Sequence, residues 1–143
     1  MLISTLRQSH PFGLVAGLNV IETYDAMKRT AKLLSRTAES LQLEFIFKAS
    51  FDKANRSNEG AFRGVGAEKG LALLSQLKDE IPGLRIVTDV HDIEQCRKVK
   101  AAGLDMIQIP AFLCRQTDLL HAAADTGLPL LIKKGKQLTH IRI

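Results

Sequence analysis

The clearest indication of the fold is RIVTDVHDIEQCRKVKAAGLDMIQI, residues 85–109. Its apolar ends, 85–90 and 105–109, have the length and composition of buried strands. Between them Asp92 is predicted to cap a helix, with Gln95 three residues later as its capping-box partner. A strand, a helix and a second strand at this spacing predict one parallel βαβ unit.

The alternation continues on both sides of this unit. Apolar residues recur every three or four positions through 22–41 and 67–80, which predicts two more helices. A fourth helix is predicted to be capped by Thr117 or Asp118 and to end at Gly127. The predicted strands cover residues 12–18, 44–49, 85–90, 105–109 and 129–133.

Five strands that alternate with four helices fit either a doubly wound sheet or part of a (β/α)8 barrel. Neither a G-x-G-x-x-G nor a Walker A sequence follows the first strand, which disfavours the nucleotide-binding sheet. A complete barrel needs about 250 residues and eight strands. We therefore predict an α/β fold, a partial (β/α)8 TIM barrel with about five strands and four helices.

The composition is that of an ordinary globular protein, with 45% hydrophobic and 24% charged residues. No apolar run approaches the roughly 18 residues of a membrane span. Residues 1–9 are too short and too polar for a secretory signal. We expect a cytoplasmic protein in which Cys96 and Cys114 are free and reduced.

The net charge of +5 raises the question of nucleic-acid binding. The chain has no run of five Lys or Arg residues, one Tyr and no Trp, so aromatic and basic residues do not interleave. Small phosphorylated substrates explain the sign of the charge equally well. We expect small-molecule ligands and neither a nucleic-acid nor a membrane partner.

Each predicted strand is apolar in its body and has at or near its end a side chain suited to chemistry. In a parallel barrel these ends converge on one face, where barrel active sites lie. Polar residues are also common where strands simply stop, so the pattern alone leaves both interpretations open. The residues are Asn19, Lys48, Asp89 with His91 two positions later, Gln108 and Lys133.

The loop after the second strand is rich in cations. It begins KASFDKANRS, residues 48–57, and Arg63 follows, with only Asp52 and Glu59 opposing these charges. Lys and Arg side chains suit phosphate and carboxylate ligands, and the loop is longer than a structural connection needs. Arg115 lies just before a predicted helix N-terminus, which also favours anions. A solvated charged loop and an ordinary loop arginine are the alternatives.

Other catalytic classes find little support in the sequence. No G-x-S-x-G motif is present. The four histidines show no metal-ligand spacing, so neither a metal nor another cofactor is predicted. The histidines are His10, His91, His121 and His140.

The motifs KASFDKANRS (48–57), IQIPAF (107–112) and RQTDL (115–119) together resemble 3-deoxy-D-manno-octulosonate 8-phosphate synthase, also called 2-dehydro-3-deoxyphosphooctonate aldolase. GLNVIE (17–22) and TDVH (88–91) match as well, in the order of the family. The resemblance implies a homotetrameric (β/α)8 barrel of lipopolysaccharide biosynthesis. Its reaction condenses phosphoenolpyruvate with arabinose 5-phosphate and releases phosphate. The related deoxyheptulosonate phosphate synthases share the chemistry but not this combination of motifs.

The resemblance also implies roles for individual residues. Catalytic roles fall to Asn19, Lys48, Lys53, Asp89 and His91. The phosphoenolpyruvate site would include Lys48, Ser50, Lys53, Gln108 and Lys133. Arabinose 5-phosphate would face Asn55, Arg56, Ser57 and Asp89, with Arg115 reaching the sugar phosphate across a subunit interface. Phe112 is expected among the substrate-binding residues.

Asn19 bears on the class of enzyme. Metal-dependent members of the family carry a cysteine ligand at this position, and an amide is a poor substitute for a thiolate on a borderline metal ion. The resemblance therefore implies the metal-independent class, with no cofactor.

The match ends after Lys134, so residues 1–134 are expected to be the N-terminal part of a synthase domain and 135–143 a divergent tail. A truncated barrel would have unpaired edge strands. We expect the family activity for the complete protein and little or none for this chain. The alternatives are a related phosphoenolpyruvate-condensing aldolase and a non-catalytic remnant that binds phosphorylated ligands.

Overall fold

The computed structural model describes residues 12–135, in which strands and helices alternate. The expectation for the tail 135–143 therefore falls, apart from Gly135, outside the described residues. The strands are β1 (Gly13–Leu18), β2 (Glu44–Ala49), β3 (Arg85–Asp89), β4 (Met106–Ile109) and β5 (Leu130–Ile132). The helices are α1 (Tyr24–Ser40), α2 (Ala67–Glu80), α3 (Ile93–Ala101) and α4 (Thr117–Asp125), and a 3₁₀ turn covers Ala111–Leu113.

All five strands are parallel and lie in the order β1-β2-β3-β4-β5. Strands that are consecutive in the chain are therefore neighbours in the sheet. A doubly wound sheet would reverse its strand order at a switch point, and no reversal occurs among these strands. The predicted partial TIM barrel is confirmed, and the doubly wound alternative is wrong.

The sheet has two different faces because side chains alternate along each strand. One face, the outer face, packs against all four helices in the main core, where Phe47, Ile86 and Ile107 are completely buried. The other face, the inner face, carries a small separate cluster. Its members are Ile46, Val87 and Met106, with Leu131 packed against them.

The inner face changes character along the strands. Two residues beyond Ile46, Val87, Met106 and Leu131, the same alternation reaches the polar positions that the sequence singled out. Asp89 and Gln108 are opposite each other in the register of β3 and β4, and Gly17 is opposite Lys48 in that of β1 and β2. The inner face is thus apolar near the start of the strands and polar at their carboxyl ends. The polar positions are Lys48, Asp89, Gln108 and Lys133.

The start of α3 follows the prediction, whereas the start of α4 does not. Asp92 caps α3, and its Oδ1 accepts a hydrogen bond of 2.7 Å from the backbone N–H of Gln95. The N-cap of α4 is Gln116, so the prediction of Thr117 or Asp118 was wrong. The backbone of Gln116 is extended and its carbonyl already accepts the N–H of Leu120 at 3.1 Å, which places Thr117 inside the first turn.

Both cysteines are free, as predicted, and both are buried. Within residues 12–135, no helix has the length and apolar character needed to cross a membrane. The outer face of the sheet is covered by the helices, whereas the polar positions of the inner face line surface clefts.

Candidate active site

Asp89 is the centre of a buried cluster of charged and polar side chains. Its Oδ1 accepts a hydrogen bond of 2.6 Å from Ser50 Oγ and lies 3.2 Å from Lys48 Nζ. Its Oδ2 lies 3.5 Å from Lys53 Nζ, and Lys48 also donates to Ser50 Oγ. The side chains of Asp89, Lys48 and Lys53 are 6%, 15% and 14% exposed. One carboxylate faces two lysines here, so the cluster retains a positive charge.

The local structure explains why these side chains meet. Lys48 and Asp89 both occupy inner-face positions at the carboxyl ends of neighbouring strands. Ser50 follows β2 directly, and Lys53 returns from the loop that begins there. Parallel strands bring their carboxyl ends to one edge of the sheet, which is the general location of active sites in barrels.

The cluster shifts two pKa values. The pKa of Lys48 is lowered from 10.5 to about 8, chiefly by burial, with Asp89 opposing the change and the nearby Lys53 adding to it. Burial alone would raise the pKa of Asp89, but Lys48, the Ser50 hydrogen bond and Lys53 together hold it below its ordinary value of 3.8. Asp89 is therefore ionised at neutral pH, and Lys48 can exchange a proton close to it.

A cleft of about 500 Å³ opens beside the cluster. A second cleft of about 660 Å³ shares the lining residues Lys53, Gln108 and Lys133 with the first. Asn19 and Lys48 line the second cleft only. The lysines of the two walls outnumber the carboxylate Asp89, which suits an anionic ligand. The site residues that line the first cleft are Lys53, Asn55, Asp89, His91, Gln108, Phe112 and Lys133.

Not every predicted site residue faces these clefts. Ser50 is completely buried behind the walls and acts on them through Asp89. Arg56, Ser57 and Arg115 are exposed and absent from the walls. Their expected contacts with a sugar phosphate, and the expected subunit interface at Arg115, stay predictions.

The loop that carries Lys53 and Asn55 is closed by an ion pair. Arg63 Nε and Nη2 donate to the two carboxylate oxygens of Asp52 at 2.9 and 2.7 Å, and the N–H of Lys53 donates to the carbonyl of Arg63 at 2.6 Å. Arg63 belongs to the cationic loop of the sequence, but its guanidinium is occupied by Asp52. It holds the loop ends together and leaves Lys53 free to turn towards Asp89.

Phe51 also shapes the site, although the sequence did not mark it as a site residue. Phe51 is buried, and its ring lies edge-on to His91, with ring centroids 6.0 Å apart and an interplanar angle of 82°. A Cβ at Gly70 would overlap the Phe51 side chain, so α2 can approach this closely only with glycine there. A buried aromatic residue is normally assigned to the core, and no sequence signal distinguishes Phe51 from one.

The side chains available for a metal are few in this part of the chain. Residues 12–135 contain no group of three or more His, Cys, Asp or Glu side chains arranged to hold an ion. Asn19 is exposed in the wall of the second cleft, which Lys48 also lines. His121 is exposed on α4 and lines neither cleft, and His10 and His140 lie outside the described residues.

Comparison with known proteins gives the family. Named 2-dehydro-3-deoxyphosphooctonate aldolases match 128 residues, or 90% of this chain. The protein of Polaromonas naphthalenivorans is 51% identical, that of Magnetococcus marinus 49% and that of Burkholderia cenocepacia 48%. The chain spans about 44% of the length of these curated relatives. The model of the DAHP synthetase I family matches residues 7–142. Because this match covers nearly the whole chain, the chain belongs to that family.

Proposed function

We propose that this chain supplies the cationic part of an active site that condenses phosphoenolpyruvate with arabinose 5-phosphate, the reaction of a 2-dehydro-3-deoxyphosphooctonate aldolase. The observation that carries the proposal is the buried cluster of Lys48, Ser50, Lys53 and Asp89 at the carboxyl end of the parallel sheet. The relatives that match the chain are 2-dehydro-3-deoxyphosphooctonate aldolases by name, which supports the proposal.

The anionic substrate fits the lysine side of the site. In the proposed reaction the methylene carbon of phosphoenolpyruvate attacks the sugar aldehyde, water adds at the enol carbon, and inorganic phosphate leaves. Lys48, Lys53 and Lys133 would hold the carboxylate and phosphate of phosphoenolpyruvate, with Gln108 beside them and Ser50 fixing Asp89. Lys48, with its pKa near 8, is suited to protonate the oxygen of the aldehyde as negative charge develops there.

The sugar substrate fits the first cleft, which Asp89 and Asn55 line. Asp89 can accept hydrogen bonds from sugar hydroxyls, and Asn55 offers both donors and an acceptor. Arg56 and Ser57 continue the same loop into solvent. We assign them to the sugar phosphate, and Arg115 to the same phosphate in a partner subunit of a homotetramer.

We assign the reaction to the metal-independent class because of Asn19. This side chain is a neutral amide that lines the same cleft as Lys48, and a weak metal ligand compared with a thiolate. The amide can instead donate hydrogen bonds to an anionic substrate.

The isolated 143-residue chain is proposed to bind these ligands without efficient turnover. In residues 12–135, β1 and β5 each pair with only one neighbour, so the cleft is enclosed on one side only. Condensation depends on holding two substrates face to face in a water-excluded site, and a half-enclosed cleft does not meet that condition.

The test measures inorganic phosphate released from phosphoenolpyruvate and arabinose 5-phosphate in the presence of EDTA. Phosphoenolpyruvate binding to the same chain is followed by calorimetry. Binding that depends on Lys48 and Lys133 is the expected result, and binding that both alanine variants leave unchanged would contradict the assignment. Sugar-dependent release in EDTA would support metal independence and would overturn the proposal of inefficient turnover.

The second candidate is the reaction of a DAHP synthetase, because the chain matches the DAHP synthetase I family. Replacing arabinose 5-phosphate by erythrose 4-phosphate separates the two, since each synthase prefers its own aldehyde. Binding without turnover of either aldehyde would favour a non-catalytic phosphate-binding protein.

A further inference from the structure

The side-chain amide of Gln95 has a fixed orientation. Its Oε1 accepts a hydrogen bond of 2.8 Å from the backbone N–H of His91, and its Nε2 donates one of 2.9 Å to Oδ2 of Asp92. One partner can only donate and the other can only accept. A flipped amide would set N–H against N–H and oxygen against carboxylate, so these two partners exclude it.

The same oxygen of Gln95 lies 3.3 Å from Nδ1 of His91. Since an amide oxygen accepts and cannot donate, a neutral imidazole satisfies this contact only with its proton on Nδ1. We propose that Gln95 is a positioning residue that holds neutral His91 in the Nδ1–H tautomer, leaving the lone pair of Nε2 for a ligand. This inference deepens the proposed function and rests on it only for the identity of that ligand.

The ring of His91 is also restrained on its other side. Phe51 meets it edge-on, and Phe51 is itself buried and closely packed against Gly70 of α2. Because Nδ1 is committed to Gln95, Nε2 on the far side of the ring is the nitrogen left to serve the cleft that His91 lines. The geometry therefore fixes both the proton and the direction of the free lone pair.

The tautomer determines which part of a ligand can lie beside His91. A lone pair on Nε2 accepts a hydrogen bond from a hydroxyl group or from water, and it repels a phosphate or carboxylate oxygen. The lysines of the cleft attract the anionic groups. We infer that His91 takes the hydroxyl-bearing part of the sugar, or a water molecule, while Lys53 and Lys133 take the anions.

The test is nitrogen NMR of the chain labelled with ¹⁵N-histidine, at alkaline pH where imidazoles are neutral. The His91 resonances are identified by their loss in His91→Asn. The expected spectrum shows a protonated Nδ1 and an unprotonated Nε2. The reverse pattern in the unaltered chain would overturn the inference without any variant.

Two variants and a control isolate the role of Gln95. Gln95→Met keeps the length but removes the acceptor, and should shift His91 towards the Nε2–H tautomer. Gln95→Glu combined with Asp92→Asn keeps an acceptor oxygen beside Nδ1, avoids setting two carboxylates against each other, and should preserve the Nδ1–H form. Gln76→Met is the control. The amide of Gln76, on α2, donates to Glu80 at 3.0 Å, and its removal should leave the His91 tautomer unchanged. An unchanged tautomer in Gln95→Met would contradict the assignment.

Ligand binding separates this inference from the proposed function. Gln95→Met should weaken arabinose 5-phosphate binding by about two- to tenfold, the worth of one net hydrogen bond, and leave phosphoenolpyruvate binding unchanged. The tautomer measurement needs no ligand, so it can succeed even if neither substrate binds. Equal weakening for both ligands would indicate a general structural effect and would overturn the positioning role.

Discussion

Ser50 Oγ donates a 2.6 Å hydrogen bond to Asp89 Oδ1, although the two residues are 39 positions apart in the chain. Both are almost completely buried. The bond joins the end of β2 to the end of β3 behind the wall of the cleft. It fixes the carboxylate that two lysines approach, so the electrostatics of the cleft depend in part on Ser50, which does not line the cleft.

Asp89→Asn should destabilise the chain by about 3 kcal/mol, because it leaves Lys48 and Lys53 buried without their counter-ion. Urea unfolding followed by circular dichroism measures the change. Asp52→Asn is the matched control, since the Asp52–Arg63 pair is far more exposed and should contribute much less to stability. Equal losses in the two variants would show that the Asp89 cluster contributes no more than a surface pair.

Acid should weaken the same cluster in a defined pH range. The folded pKa of Asp89 lies below its ordinary 3.8, so the unfolded chain binds more protons there and stability falls as pH falls. The contribution is complete above about 3.8 and disappears as pH passes through the folded pKa. The difference in unfolding free energy between the unaltered chain and Asp89→Asn should shrink as pH is lowered through this range. A constant difference would contradict the lowered pKa.

Lys48 should titrate near pH 8. NMR of ¹³C-labelled lysine follows its Cε shift, and the expected midpoint is about 8 instead of 10.5. Since the folded pKa is the lower one, the unfolded chain holds the proton between these values, and stability rises with pH there. Asp89→Asn should move the midpoint lower still, because Asp89 favours the charged lysine. A midpoint near 10.5 would show that burial does not control Lys48.

Lys133→Ala should weaken phosphoenolpyruvate binding by about tenfold or more, the loss expected for a charge-assisted hydrogen bond. Lys133 lines both clefts. Lys69→Ala removes the same charge from an exposed position on α2 and serves as the control. Calorimetry compares the two, and equal affinities would show that only overall charge matters.

Gly70→Ala should cost about 1–3 kcal/mol, the usual effect of overpacking, because the new Cβ would overlap Phe51. It should also move Phe51 away from His91 and change the ring resonances of both residues. Gly60→Ala is the control, since a Cβ there meets only an ordinary contact with Asn58 at 3.7 Å. Unchanged His91 resonances in Gly70→Ala would show that Phe51 does not restrain the ring.

The strands and helices could be predicted from sequence because their periodicities are local and strong. The convergence of Asp89, Gln108 and Lys133 followed from one rule, that parallel strands end at one edge. The sequence did not predict which charged side chains pair with each other. Arg63 was grouped with the cationic loop, yet it pairs with Asp52, because which charges meet depends on how the loop closes.

Gln95 shows a subtler limit. As a capping-box residue it was predicted correctly to lie beside Asp92. Its oxygen, however, accepts the N–H of His91 and not that of Asp92, so the bond reaches one residue further back than the motif describes. The sequence pattern identifies the residue, but only the geometry connects it with the imidazole.

Alternate residues of each strand have different roles, because one face of the sheet packs against the helices and the other lines the cleft. Thr88 belongs to the outer face and is completely buried, whereas its neighbour Asp89 lines the cleft. A single-residue deletion within β3 would exchange these positions and damage packing and chemistry together. Point substitutions can change one side and spare the other. Ligand preference in this protein can therefore evolve through substitutions at a few inner-face positions, while the packing of the helices against the outer face is unchanged.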